Sequence, residues 1–310
     1  MKRLLALLMC LSVVAAPRAV GAADADKRVA ALKRAVRKSG SFYELRWGRY
    51  VIKTDVDAQF AAEASLYMDR FYRAFRSFFK PRPKLKVTPV VYFFKDRESY
   101  QACCRERGFG QTLLKAGGFY RGSRSKSELF CWHKRPGSGF EGFPKEVVRH
   151  EGAHQLLSYI LGTHRIPIWY NEGVATFFES WNVEQPREAN LKRLATGHTR
   201  FALIARTFGT KEFVDLHELM RLTHKTWVPD AFGRKTAQHY AEVQSFMTFL
   251  LVSEKGRKFF AILFRAIAQG KDPATMLSRK VIDSAQRAWY KDIEDRVEAS
   301  VKGAAPAKRR

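Results

Sequence analysis

The sequence predicts an α+β protein: an N-terminal mixed sheet with helices, then a mainly helical lobe, with a metal site between them. Three observations carry that expectation. Residues 43–132 mix period-two runs with one strongly amphipathic helix. From Pro144 onward the apolar spacing is helical almost throughout. Between them lies Lys134 to Gly142, rich in Gly, Pro and Lys, a natural boundary. The 310 residues suffice for a substantial core, as one large domain or two lobes, and 46% hydrophobic with 28% charged residues excludes a disordered chain.

The first residues stand apart. Lys2 and Arg3 precede an apolar run from Leu4 to Ala16, and Val20-Gly21-Ala22-Ala23 follows: the layout of a secretory signal cleaved after Ala22 or Ala23. The run is shorter than the ~20 residues that span a bilayer, and Leu7-Leu8-Met9 before Cys10 lacks the small side chains of a lipoprotein site. The expected localisation is therefore exported, periplasmic or secreted, with no later segment able to span a membrane. The expected division is a signal peptide at 1–22, an N-terminal helical segment at 23–41, an α/β subdomain with an edge strand at 42–136, a helical subdomain at 137–302 and a basic tail at 303–310.

Within that frame, Asp24 to Lys38 reads as a short helix ending near Gly40. Tyr43, Leu45 and Trp47 alternate, and Tyr50 and Ile52 resume after Gly48, giving strand, turn or bulge, strand. Phe60, Ala64, Tyr67, Met68, Phe71, Phe75 and Phe78 share one helical face that Pro81 stops. Leu85 to Phe94 is β-rich, with Pro89 pointing to an edge or irregular strand. Asp96 to Glu106 is helical; Gly117 to Tyr120 and Leu129 to Trp132 are strands. Pro144 starts a helix that Gly162 ends, and another begins near Asn171. Glu184 to Asp230 is polar and hard to parse, with short helices around Phe213 to His224. Later helices cover Lys235 to Lys255, Arg257 to Gln269 and Val281 to Val301.

The formal charge is +26, or +23 once Lys2, Arg3 and Arg18 leave with the signal. Such a charge attracts anionic surfaces and polymers. The basic residues are scattered, apart from Lys308-Arg309-Arg310, so a solvated basic surface is the default and nucleic acid an unlikely partner. Cys103, Cys104 and Cys131 remain after cleavage. A disulfide from Cys131 to one of the adjacent pair and three buried thiols are both open, and no CxxC spacing suggests a sulfur-ligated metal.

The chemistry concentrates in His150-Glu151-Gly152-Ala153-His154. Two imidazoles one helical turn apart, in line with Val147, Leu157 and Leu161, can hold adjacent corners of a zinc tetrahedron. Glu151 lies round the helix from both, placed to act as general base toward a water on the metal. Glu172, separated from His154 by 17 residues, lies in Trp169-Tyr170-Asn171-Glu172-Gly173, with Asn171 a good helix N-cap and Glu172 in the first turn. A carboxylate there supplies a third metal ligand and leaves the fourth position open, as a catalytic zinc requires. The alternative is an acid placed only by the helix dipole.

The pair His150-Glu151-xx-His154 with Asn171-Glu172-Gly173-x-Ala175 resembles the gluzincin metallopeptidases, and the wider layout over residues 43–300 resembles a bacterial domain family of unknown function described as peptidase MA-like. That layout includes Gly117-Gly118-Phe119-Tyr120 and His239-Tyr240-Ala241-Glu242. The resemblance implies a zincin-like fold and a zinc-dependent peptidase acting on peptides or proteins. It also implies ligands His150, His154 and Glu172, with Glu151 as base. The gap of 17 residues is slightly shorter than in the best-known gluzincins. By analogy, Tyr240, with His239 behind it, is a candidate to hydrogen-bond an oxyanion, against a core tyrosine. Glu179 is a surface carboxylate or a partner of a ligand histidine. Leu129 to Trp132 is the candidate edge strand for substrate. His133, His164, His198, His217 and His224 have no partner at ligand spacing. The competing expectation is a non-catalytic cell-envelope protein that binds anionic polymers through its basic surface. Oligomeric state, substrate, and endo- or exopeptidase mode stay open.

Overall fold

Glycines at two loop positions start the sheet. The computed structural model describes residues 22–81, 87–133, 139–162, 166–196, 199–229 and 233–304. After helix α1 (Ala22–Ala35), strands β1 (Arg37–Ser39), β2 (Phe42–Trp47) and β3 (Tyr50–Thr54) form two consecutive hairpins. Gly40 and Gly48 open their two-residue loops at φ 59° and 56°, the left-handed backbone that such turns require. The predicted first helix thus stops earlier than Lys38, because residues 37–39 pair with β2.

Helix α2 (Ala58–Phe78) begins where the Asp57 carboxylate accepts from the Phe60 N–H at 2.7 Å, and it buries the expected aromatic face. It crosses from β3 to the parallel strand β4 (Val90–Phe94). Then follow α3 (Arg97–Glu106), capped by Asp96, α4 (Gln111–Lys115), β5 (Gly118–Gly122) and β6 (Ser127–Trp132). The six-stranded mixed sheet runs β1-β2-β3-β4-β6-β5. Two expectations are corrected here. Pro89 lies just before β4, which is central rather than an edge; and Leu129–Trp132 is interior, paired on both sides, while β5 is the edge.

The helical region follows: α5 (Lys145–Leu161), α6 (Ile168–Glu179), α7 (Arg187–Thr196), α8 (Thr199–Thr207), α9 (Leu216–Arg221), α10 (His224–Trp227), α11 (Arg234–Val252), α12 (Glu254–Ala268), α13 (Pro273–Met276) and α14 (Arg279–Ala304). The stretch that resisted parsing therefore holds α7 to α10. Among the described residues no helix is long and apolar enough to cross a membrane.

One face of the sheet, through Ile52, Val91, Phe93 and Leu129, joins α2, α5 and the helical region in a single core. The other packs Tyr92, Phe94, Phe119 and Phe130 against α3 and α4. Cys103, Cys104 and Cys131 are free thiols, the last two buried. The expected signal, the Lys134–Ser138 part of the boundary segment, His164, His198 and the Lys308-Arg309-Arg310 tail lie outside the described residues; Ala22 already belongs to α1.

Candidate metal centre

Helix α5 is central, and nearly every face of it is occupied. Gly152 faces α2 so tightly that a Cβ there would meet Phe71 at 2.7 Å. On the sheet side, Gly118 of β5 has no room for a Cβ either, with Val147 of α5 at 2.7 Å. Buried Gln155 donates to the Ser127 carbonyl at 3.2 Å, tying the helix to β6. Gly162, at φ 83°, ends it.

Helix α6 returns alongside α5. It starts at Ile168 after Pro167, three residues before the expected cap, so Asn171 is no N-cap and Glu172 stands in the second turn. Trp169 and Tyr170 are fully buried, and their packing begins the helix early. The dipole explanation for Glu172 therefore weakens, since that effect fades beyond the first turn.

The two helices bring His150, His154 and Glu172 together, with one donor atom from each lying within 4.8 Å of the others. Glu172 Oε2 is 3.4 Å from His150 Nε2, and Glu172 Oε1 is 3.7 Å from His154 Nε2. Ligands at 2.0–2.1 Å from a tetrahedral ion stand about 3.3 Å apart, so this spacing suits one small cation. The donor set also asks for one: among the described residues, buried Glu172 Oε2 and His154 Nδ1 find no hydrogen-bond partner. A cation among these atoms would satisfy the carboxylate.

Charge balance points the same way. Burial alone would lower the His150 pKa, but the facing carboxylates of Glu172 and Glu179 hold it up at about 10. Burial would raise Glu172, yet His154 and His150 keep it below the usual carboxylate range. In this form a proton on His150 serves the acids; a metal would displace it, since ligand imidazoles bind neutral.

Glu151 points from the same helix toward β5. Burial raises its pKa, the two histidines lower it, and the backbone N–H of Tyr120 on the edge strand also lowers it. Tyr240 of α11 reaches the site as well, its ring 6.4 Å from that of His150, and burial with the nearby charges of Glu172 and Glu151 pushes its phenol up. His239 turns away and contacts the Trp227 carbonyl at 3.0 Å through Nδ1.

Glu179 is not a surface carboxylate. Its Oε2 lies 3.0 Å from His150 Nδ1 and its Oε1 2.5 Å from the Arg200 guanidinium of α8. Burial works against ionisation, but His150 and Arg200 hold its pKa down at about 2. Buried Arg149 does related work on the other side. It donates to the Phe178 and Glu179 carbonyls at the end of α6 and to the Tyr67 hydroxyl of α2. Neither arginine was identified from the sequence. Arg149 had a signal, since a cation inside an otherwise buried helix needs partners; Arg200 had none, because its segment showed no readable period. Of the other histidines, His217 pairs with Asp283 at 2.6 Å, and exposed His224 is close enough for its charge to favour ionised Glu172.

Residues 146–273 match the family described as "Protein of unknown function (DUF1570)". The match begins at the start of α5 and takes in every residue of the centre. No curated protein and no solved structure matches the chain.

Proposed function

We propose that this chain is an exported zinc-dependent hydrolase of peptide bonds, a metallopeptidase of gluzincin type. The observation that supports it most is the convergence of His150, His154 and Glu172 on one cation-sized position beside the Glu151 carboxylate. Two imidazoles and one carboxylate are the donor set of open catalytic zinc sites. When bound, zinc supplies Lewis-acid activation of water near neutral pH.

The chain's own groups do the rest. Glu151, with its raised pKa, takes a proton from the attacking water and returns it to the leaving amine. Tyr240 donates its O–H toward the developing oxyanion, a role suited to a phenol that stays protonated. β5, at the edge of the sheet and beside Glu151, offers its free side to an extended peptide backbone. Export rests on the pattern of residues 1–22.

The test is metal content together with peptide-library digestion. Wild type should carry one zinc, and Glu151→Gln should keep it while losing about 10²–10⁴-fold in cleavage rate. A protein without stoichiometric zinc would sink the proposal. The charge of +26 favours a second reading, a non-catalytic envelope protein holding anionic polymers. Salt-sensitive retention on such polymers, indifferent to chelator and to Glu151→Gln, with no cleavage by wild type, would select it.

A further inference from the structure

Helix α8 lies outside the α5–α6 pair that carries the ligands, yet its second residue reaches the centre. The Arg200 guanidinium stands 2.5 Å from Glu179 Oε1, and the other oxygen of that carboxylate is 3.0 Å from His150 Nδ1. The same guanidinium lies over the Tyr240 ring, 5.5 Å from its centre, and that ring is 6.4 Å from the His150 imidazole. Arg200, Glu179, His150 and Tyr240 form a closed circuit contributed by four helices, α8, α6, α5 and α11.

We propose that Arg200 is a positioning residue for the metal centre, acting through Glu179 on His150 and by direct contact on Tyr240. The inference rests on the metal reading given above. A carboxylate held at one oxygen only is free to swing about its last torsion. Gripped at both, it fixes the plane in which His150 Nδ1–H is received, and with it the direction of the Nε2 lone pair. The arginine cation also offsets one of the three acids, Glu151, Glu172 and Glu179, that crowd the site. Its seat over Tyr240 is a cation–π contact that orients the phenol. Among the described residues His154 has no such arrangement, its Nδ1 finding no partner there, so the directional control in question is that on His150.

The experiment measures zinc affinity of the full-length protein by competition with a chromophoric chelator, alongside thermal unfolding of the metal-free form. Arg200→Ala should weaken zinc binding by about 10-fold or more, within the 10–100-fold range of outer-shell partners. Arg200→Lys should recover part of the loss. In a Glu179→Gln background, Arg200→Ala should cost less than about twofold, because the route through Glu179 is already cut. If Arg200→Ala loses its cooperative metal-free transition, Arg200→Gln replaces it in the same comparison. Zinc affinity within twofold of wild type in the folded variant overturns the proposal, and so does an equal loss in both backgrounds. In either case wild type still binds zinc and the metal reading stands. A wild type that binds none fails that reading first, and this inference with it.

Discussion

Glu172 and Glu242 are both buried glutamates in the helical region, on the neighbouring helices α6 and α11, and they titrate in opposite directions. Burial works against ionisation at each. At Glu172 the histidines outweigh it and the carboxylate stays charged. At Glu242 the partners are neutral donors, the Val214 N–H at 2.8 Å and the Gln238 amide at 2.6 Å, both on Oε1. Burial wins there and the pKa rises to about 8. One acid is held ionised by groups that can bind a cation. The other is a neutral strut that ties the loop before α9 to α11. Burial alone therefore does not mark an acid that can hold a cation; the groups that face it do, and here they set the sign of its shift.

The same substitution applied to both acids should give opposite results. Glu172→Gln removes a ligand, and zinc affinity should fall by more than about 100-fold, past the range reached by outer partners; equilibrium competition with a chelator reads it. Tyr240→Phe tests whether α11 is divided, with one side serving Glu172 and the other holding Glu242. It should lower kcat by about 10–100-fold and leave KM within about twofold. A change confined to KM would place Tyr240 in binding rather than in the chemical step.

Glu242→Gln should leave zinc affinity unchanged and alter stability with pH. The folded pKa is raised, so the stabilisation from protonated Glu242 is complete below the ordinary value of 4.5 and is lost as pH climbs to about 8. The amide cannot ionise. Its advantage over wild type should be absent near pH 4.5 and largest at pH 8 and above, on the order of 5 kcal/mol. Urea unfolding at the two pH values measures it, and a pH-independent difference would contradict the assignment. The smallest effect is expected at Gly152→Ala. A methyl aimed at Phe71 forces α2 and α5 apart, and the gain in helix propensity offsets only part of that, leaving about 1 kcal/mol of destabilisation in the same assay.

The candidate ligands are legible because their spacing is local. His150 and His154 sit one turn apart, and Glu172 arrives within a short return that any helical hairpin makes. What the sequence could not show was what lies across from each element. Strand order is a property of pairing, so the edge was assigned to Leu129–Trp132 when β5 holds it. Pro89 suggested an edge strand because its position, one residue short of the β4 ladder, is not visible in composition. Glu179 reads as a surface carboxylate or as a partner of a ligand histidine, and the structure has it beside His150; the sequence leaves both open because its second partner, Arg200, comes from a segment without apolar periodicity. Glu172 was placed in a first turn because Asn171 is a good cap in isolation; the packing of Trp169 and Tyr170 overrode that preference.

Gly152 carries a consequence for the motif itself. In His150-Glu151-Gly152-Ala153-His154 the ends face the candidate metal position, while Gly152 and Ala153 face the core, where Phe71 leaves no room beside Gly152 and Ala153 is fully buried. The size of Gly152 is thus dictated by helix α2, some eighty positions upstream, and not by an ion. Read in another chain, the letter after the glutamate would gauge how closely the long helix of the sheet region leans on the helix that carries the two histidines.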